Sequence, residues 1–211
     1  MMTVTDITLG PMSETVITKI FGMSRWEPNA RGRLEEAALE LYSERGFDQT
    51  TVAEIAQLAG LTERTFFRHF ADKREVLFGG EGMLDEIVTR VVAGAAESAA
   101  PIDAVAEGLA AIGEMFRGRR DHARRRQAVI AANPGLQERE LIKLSRLAAA
   151  TADVLRRRGV SEPAASLTAE AGIAVFKVAF ERWVADGADR ELSTVIGESV
   201  DELKTVAGGG S

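Results

Sequence analysis

From Arg31 onward the chain repeats apolar residues at helical spacing. Leu34, Ala37, Ala38, Leu41 and Tyr42 fall at i, i+3, i+4, i+7 and i+8, and Gly46 stops the run. A second helix opens at Thr51, whose hydroxyl can cap the amide three residues on while Glu54 reaches back, a Ser/Thr-x-x-Glu capping box. Val52, Ile55, Ala56 and Ala59 form its buried face. Gly60 ends it with a backbone that tolerates positive φ, and Thr62 is placed to cap a third helix. That helix buries Phe66 and Phe70, one turn apart, so at 100° per residue Arg64 and Arg68 face outward, flanked by Thr65 and Phe67. Two short helices joined by so tight a turn, the second with a basic outer face, form a helix-turn-helix.

After Asp72 the pattern predicts a longer helix over about 73–96, carrying Val76, Leu77, Leu84, Ile87, Val88 and Val91, with Gly79, Gly80 and Gly82 loosening its first half. Five more helices are expected at about 102–117, 119–132, 136–158, 163–186 and 190–206. Gly118, Asn133-Pro134-Gly135, Gly159 and Gly187 separate them. Strand alternation and internal repeats are absent, so the fold class is all-α. Residues 1–24 carry neither period and read as a flexible tail, with Met23 an alternative start. Residues 25–75 read as the helix-turn-helix domain, 76–207 as a helical regulatory and dimerisation domain, and 208–211 (GGGS) as a second tail.

Composition narrows the chemistry. A chain of 211 residues without cysteine and with two histidines excludes disulfides, thiolate metal sites and cysteine nucleophiles, and leaves little for a histidine metal site. Scattered carboxylates show no acid–base pairing, and no glycine loop follows a strand, so an enzyme is not expected and neither metal nor cofactor is assigned. The longest apolar stretch, Gly172 to Phe180, is interrupted by Lys177 and falls short of a membrane span. The opening MMTVTDITLG lacks the basic and apolar regions of an export signal, which makes a cytoplasmic setting the expectation. Net charge is −6, and even Arg25 to Glu75 holds eight basic against ten acidic residues, a balance of −2. Any contact with a polyanion must rest on local geometry.

The run TTVAEIAQLAGLTERTFFRHFADKREVLF at 50–78, preceded by ALELYSERGFD, closely resembles the DNA-binding domain of TetR-family transcriptional regulators. The resemblance covers about a quarter of the chain and is specific to the T-x-x-x-I-A-x-x-A-G turn and the T-F-[YF]-x-H-F helix. It implies a homodimer with two N-terminal readers on a near-palindromic double-stranded operator, and repression that a small-molecule effector of unknown identity relieves. Activation, or a non-specific DNA-binding or scaffold role without a ligand, is the alternative.

Within that framework Arg64, Thr65 and Arg68 are the candidates for base edges, because Arg can hold guanine O6 and N7 together and Thr can meet a thymine methyl. Thr51, Thr62, Phe67, His69 and Lys73 are assigned to phosphates or to the rim of the recognition helix. Phe67 stands where the family commonly has tyrosine, so it lacks a phenolic donor. Arg31 and Arg33 are weighed as a minor-groove arm against ordinary helix-flanking residues. Six arginines between Arg117 and Arg126 are weighed as an anion site against ion-paired surface. Met115, Phe116, Phe176, Phe180 and Trp183 are weighed as the lining of a ligand pocket against core packing. Ile173, Phe176, Phe180 and Trp183, with Leu192, Val195, Ile196, Val200 and Leu203, are expected to present apolar faces of the last two long helices to a second subunit as a four-helix bundle.

Overall fold

A computed structural model describes residues 29–78, 82–186 and 190–208. The expected tail at 1–24 and all but Gly208 of the expected tail at 208–211, together with Gly79, Gly80 and Gly187, lie outside the described residues. Among the described residues the structure is helical throughout, with nine α-helices: α1 Ala30–Arg45, α2 Val52–Leu58, α3 Glu63–His69, α4 Met83–Gly94, α5 Pro101–Met115, α6 Arg120–Ala131, α7 Pro134–Arg157, α8 Ala164–Ala185 and α9 Leu192–Ala207. None of them is long and apolar enough to cross a membrane.

One expected element is broken. The segment read as a helix over 73–96 is a 3-10 turn, Glu75–Phe78, followed after residues 79–81 by α4. Gly82 caps α4 at φ 85°, a left-handed conformation that helical residues do not adopt, so the helix must begin there. Pro101 and Pro134 occupy the first positions of α5 and α7, where a missing N–H is harmless.

The apolar residues form two clusters. The larger joins Val88 and Val92 of α4 to α5, α7, α8 and α9, with Leu109, Ile112, Leu155, Leu192 and Ile196 fully buried. Gly113 lets α5 and α9 touch: a Cβ there would meet the Ser193 backbone N at 2.7 Å. The smaller cluster gathers Leu34, Tyr42, Ile55, Phe66 and Phe70 of the first three helices, continues through Val76, Leu77 and Phe78, and takes in Val129, Ile130 and Leu136 from the α6–α7 corner. The division expected at 75/76 runs through this second cluster.

Candidate nucleic-acid interface

The reader is built from short-range caps. Thr51 Oγ1 accepts from the Glu54 amide at 3.3 Å, and Glu54 Oε2 accepts from the Thr51 amide and hydroxyl, both at 2.8 Å. The bond from the Thr51 amide, then that from its hydroxyl, holds the Glu54 carboxyl below its usual range. The turn after α2 passes through Gly60 at φ 64°, with the Leu61 amide donating to Ala56 O at 2.8 Å. Thr62 then accepts from the Thr65 amide at 3.2 Å, and the two hydroxyls lie 3.1 Å apart. Phe66 is completely buried, with the Phe70 ring 5.5 Å away, and this pair seats α3 on α1 and α2.

With Phe66 fixed inward, Arg64, Phe67 and Arg68 stand on the exposed side of α3 at i, i+3 and i+4. Phe67 is 56% exposed, an aromatic ring held in water on an otherwise polar face. Thr65 is half-buried and turned toward Thr62. Thr51 and Thr62 are exposed at the starts of their helices, whose first amides are free of helical partners. His69 is half-buried against the Phe70 ring, with Nε2 buried and unbonded.

Lys73 has different company from that expected. Its ammonium donates to the carbonyls of Phe47 at 2.9 Å, Asp48 at 3.3 Å and Thr50 at 3.0 Å, and sits 4.5 Å from the Phe47 ring centroid. An ammonium has three donors. All three have acceptors in the loop that leads into α2. The Tyr42 hydroxyl, in turn, donates to Lys73 O at 2.6 Å, and burial, then the nearby Asp72 carboxylate, raises its pKa. Arg33, weighed as part of an arm, donates to Ala59 O inside the helix-turn-helix, while Arg31 pairs with Glu35 at 3.0 Å and lies over Phe70. The sequence reading missed Tyr42 and Arg33 as fasteners of the reader. Tyr42 was visible only as one more apolar-stripe residue.

In the other domain the rings of Phe116, Phe176, Phe180 and Trp183 come together, each 5.5–6.0 Å from a neighbour, while Met115 is half-buried at the end of α5. They are filled against one another within the core. A cleft of about 530 Å³ lies elsewhere, between the end of α1 and α6, lined by residues including Phe47, Arg125 and Ala132. The arginine run is largely spent on the protein itself. Arg117 pairs with Glu114, Arg120 donates to Asp186 O and Arg190 O across the Trp183 ring, and Arg124 donates to Val184 O. Arg125 reaches Glu36 and Arg126 reaches Leu77 O.

The apolar residues expected on a dimer face are a correction. Ile173, Phe176, Phe180, Trp183, Leu192, Val195, Ile196 and Val200 are buried within the single chain, because these faces of α8 and α9 pack on each other and on α5. The outward stripe of α8 is instead Leu167, Ala171, Ala174 and Val178, with Leu167 66% and Val178 51% exposed.

Two family descriptions match this chain: "Bacterial regulatory proteins, tetR family" over residues 34–78 and "MftR C-terminal domain" over residues 98–208, more than half its length. The chain belongs to the TetR family of transcriptional regulators. This TetR-family regulator is 45% identical over 56 residues to the HTH-type transcriptional regulator TcmR of Streptomyces glaucescens, covering 26% of this chain and 25% of TcmR. It is 30% identical over 112 residues to the regulator MftR of Mycobacterium tuberculosis, covering 49% of this chain and 52% of MftR. The matches thus span a quarter and about half of those relatives. Its fold is like that of Bacillus subtilis FadR, solved in complex with stearoyl-CoA, at TM-score 0.58 and 17% identity, over 82% of this chain and 96% of that one. The segment matched to the tetR description runs from α1 through α2 and α3 to the 3-10 turn.

Proposed function

We propose that this TetR-family regulator is a homodimeric repressor that reads a near-palindromic operator with α3 and is released by a small molecule bound in the helical domain. The observation that carries the reading is the display of Arg64, Phe67 and Arg68 on one exposed side of a helix whose other side is locked by Phe66 and Phe70. Two arginines beside an aromatic ring suit guanine edges next to a thymine methyl in the major groove. Thr51 and Thr62, exposed at the starts of α2 and α3, suit phosphate contacts that position the reader without specifying sequence. Thr65 supports α3 through Thr62, and Lys73 supports the loop before α2. His69 belongs to the rim.

The dimer forms through α8 and α9. Leu167, Ala171, Ala174 and Val178 are spaced by four, three and four residues, the spacing of a helix-packing seam, and the small Ala171 and Ala174 at its middle permit close approach. Two subunits so joined place two α3 helices in successive major grooves, about 34–36 Å apart or somewhat more. An effector acts by fitting the regulatory domain of the released conformation better than that of the bound one. FadR of Thermus thermophilus, solved with lauroyl-CoA, shares the fold at 24% identity and TM-score 0.50. Long-chain acyl-CoA thioesters therefore open the effector screen.

The test is selection of bound duplexes from a random library, followed by fluorescence anisotropy on the selected duplex and on a scrambled one at several salt concentrations. Preference for the selected duplex at physiological salt, with two subunits per site, is the expected result. Equal weak binding to both duplexes overturns it. Arg64→Ala and Arg68→Ala should each weaken the selected duplex by about 1–3 kcal/mol and relax preference at the base they contact.

A further inference from the structure

The last turn of the reader is gripped by the regulatory domain. Glu75, in the 3-10 turn, is 9% exposed, and its two oxygens face cations one helical turn apart on α7: Arg139 pairs with Oε1, and Lys143 Nζ stands 3.4 Å from Oε2. Lys143 also donates to Phe78 O at 3.2 Å and lies 5.0 Å from the Phe78 ring centroid. Arg126 of α6 closes the other side. Its Nε donates to Leu77 O at 2.7 Å, its Nη1 donates to Glu140 of α7 at 3.0 Å, and its guanidinium lies 5.2 Å from the same ring.

A helical turn ends in carbonyls that its own chain direction leaves without partners. Here those of Leu77 and Phe78 are capped by side chains 49 and 65 residues further on. Beside this grip Val129, Ile130 and Leu136 enter the reader's apolar cluster, and Arg125 donates to Glu36 of α1 at 2.7 Å. Removing one partner of an ion pair buried to this degree leaves the other desolvated and uncompensated. The grip therefore tends to be engaged or released as a unit.

We infer that the Glu75 clamp, with Arg126, Arg139 and Lys143, is the coupling contact that ties the orientation of the DNA reader to the α6–α7 corner of the regulatory domain. The inference rests on the DNA-reading role of α3 proposed above. The corner is a second connection, separate from the chain that runs on into α4. Coupling between sites is reciprocal, so DNA held by α3 is felt at α6–α7 through this contact, whichever molecule later proves to be the effector.

Reciprocity supplies the test, with DNA as the probe. Hydrogen exchange of the full-length protein is compared with and without the selected duplex, in the wild type and in Glu75→Gln and Lys143→Met. In the wild type the duplex should slow exchange in α3 and also, by tenfold or more, in the peptides of 120–143. In both variants α3 should remain protected while the response of 120–143 falls below twofold. Lys143→Met keeps the test open should Glu75→Gln fail to fold. Full retention of the 120–143 response in the variants overturns the clamp, as does a wild type whose α3 responds while 120–143 does not. Absence of any response in α3 indicts the DNA-reading proposal instead.

Discussion

Lys73 illustrates how a cation near a DNA-binding surface can serve the fold. Hydrogen bonds to a charged donor contribute about 1.5–3 kcal/mol, and Lys73 concentrates three of them on the loop between α1 and α2. Lys73→Met should therefore lower stability by about 2 kcal/mol in urea unfolding. A phosphate contact has another signature, since each one lost reduces the slope of log K against log salt by about one. The slope for Lys73→Met should match the wild type; a reduced slope would return Lys73 to the phosphates. This arrangement was not legible in the sequence, because the partners of Lys73 stand 23 to 26 residues away. The caps at Thr51 and Thr62 were legible, since each acts on an amide three residues on.

At the scale of elements, the start of α2 is a pH-dependent joint. The Glu54 carboxyl titrates below its ordinary value of 4.5 because the folded reader bonds the ionised form. Its contribution is thus fully present above pH 4.5 and is lost as pH falls through the lowered value. Glu54→Gln, which can still accept from Thr51 but carries no charge, should lower the melting temperature at pH 7 and flatten the acid limb of a thermal-stability profile below about pH 4.5; an unchanged acid limb counts against the joint. Helix crossings offer a second check. Gly113→Ala forces a methyl onto the backbone of Ser193 and should cost about 1–3 kcal/mol by parting α5 from α9, readable as a lower melting temperature. The helices themselves followed from apolar spacing to within two residues at most ends, as with α6 and α9. Spacing did not show which face of α8 turns inward, since Phe176 and Val178 belong to apolar stripes on opposite faces and only packing on α5 and α9 decides between them. For the same reason spacing left Phe180 and Trp183 open to a pocket reading beside the commoner core one.

At the scale of the whole molecule, the proposed dimer places the outward seam of α8 between two subunits. Leu167→Glu with Val178→Glu places two charges on a surface that is exposed in the single chain, so the fold should persist while two subunits repel. Sedimentation should show single chains, with circular dichroism unchanged and affinity for the selected duplex greatly reduced. A dimer that survives both substitutions would relocate the interface.

The corner formed by α6 and α7 bears on chimaeras. Regulators of this architecture invite recombination, with one protein's reader joined to another's sensor at the link between them. In this chain a cut after Phe78 would leave behind Val129, Ile130 and Leu136, residues that fill the reader's own interior. A transplanted reader would arrive with a hole where they belong, and the recipient's corner would present side chains shaped for a different guest. Only grafts that carry the corner along, or recipients whose corner matches it, should yield a working hybrid.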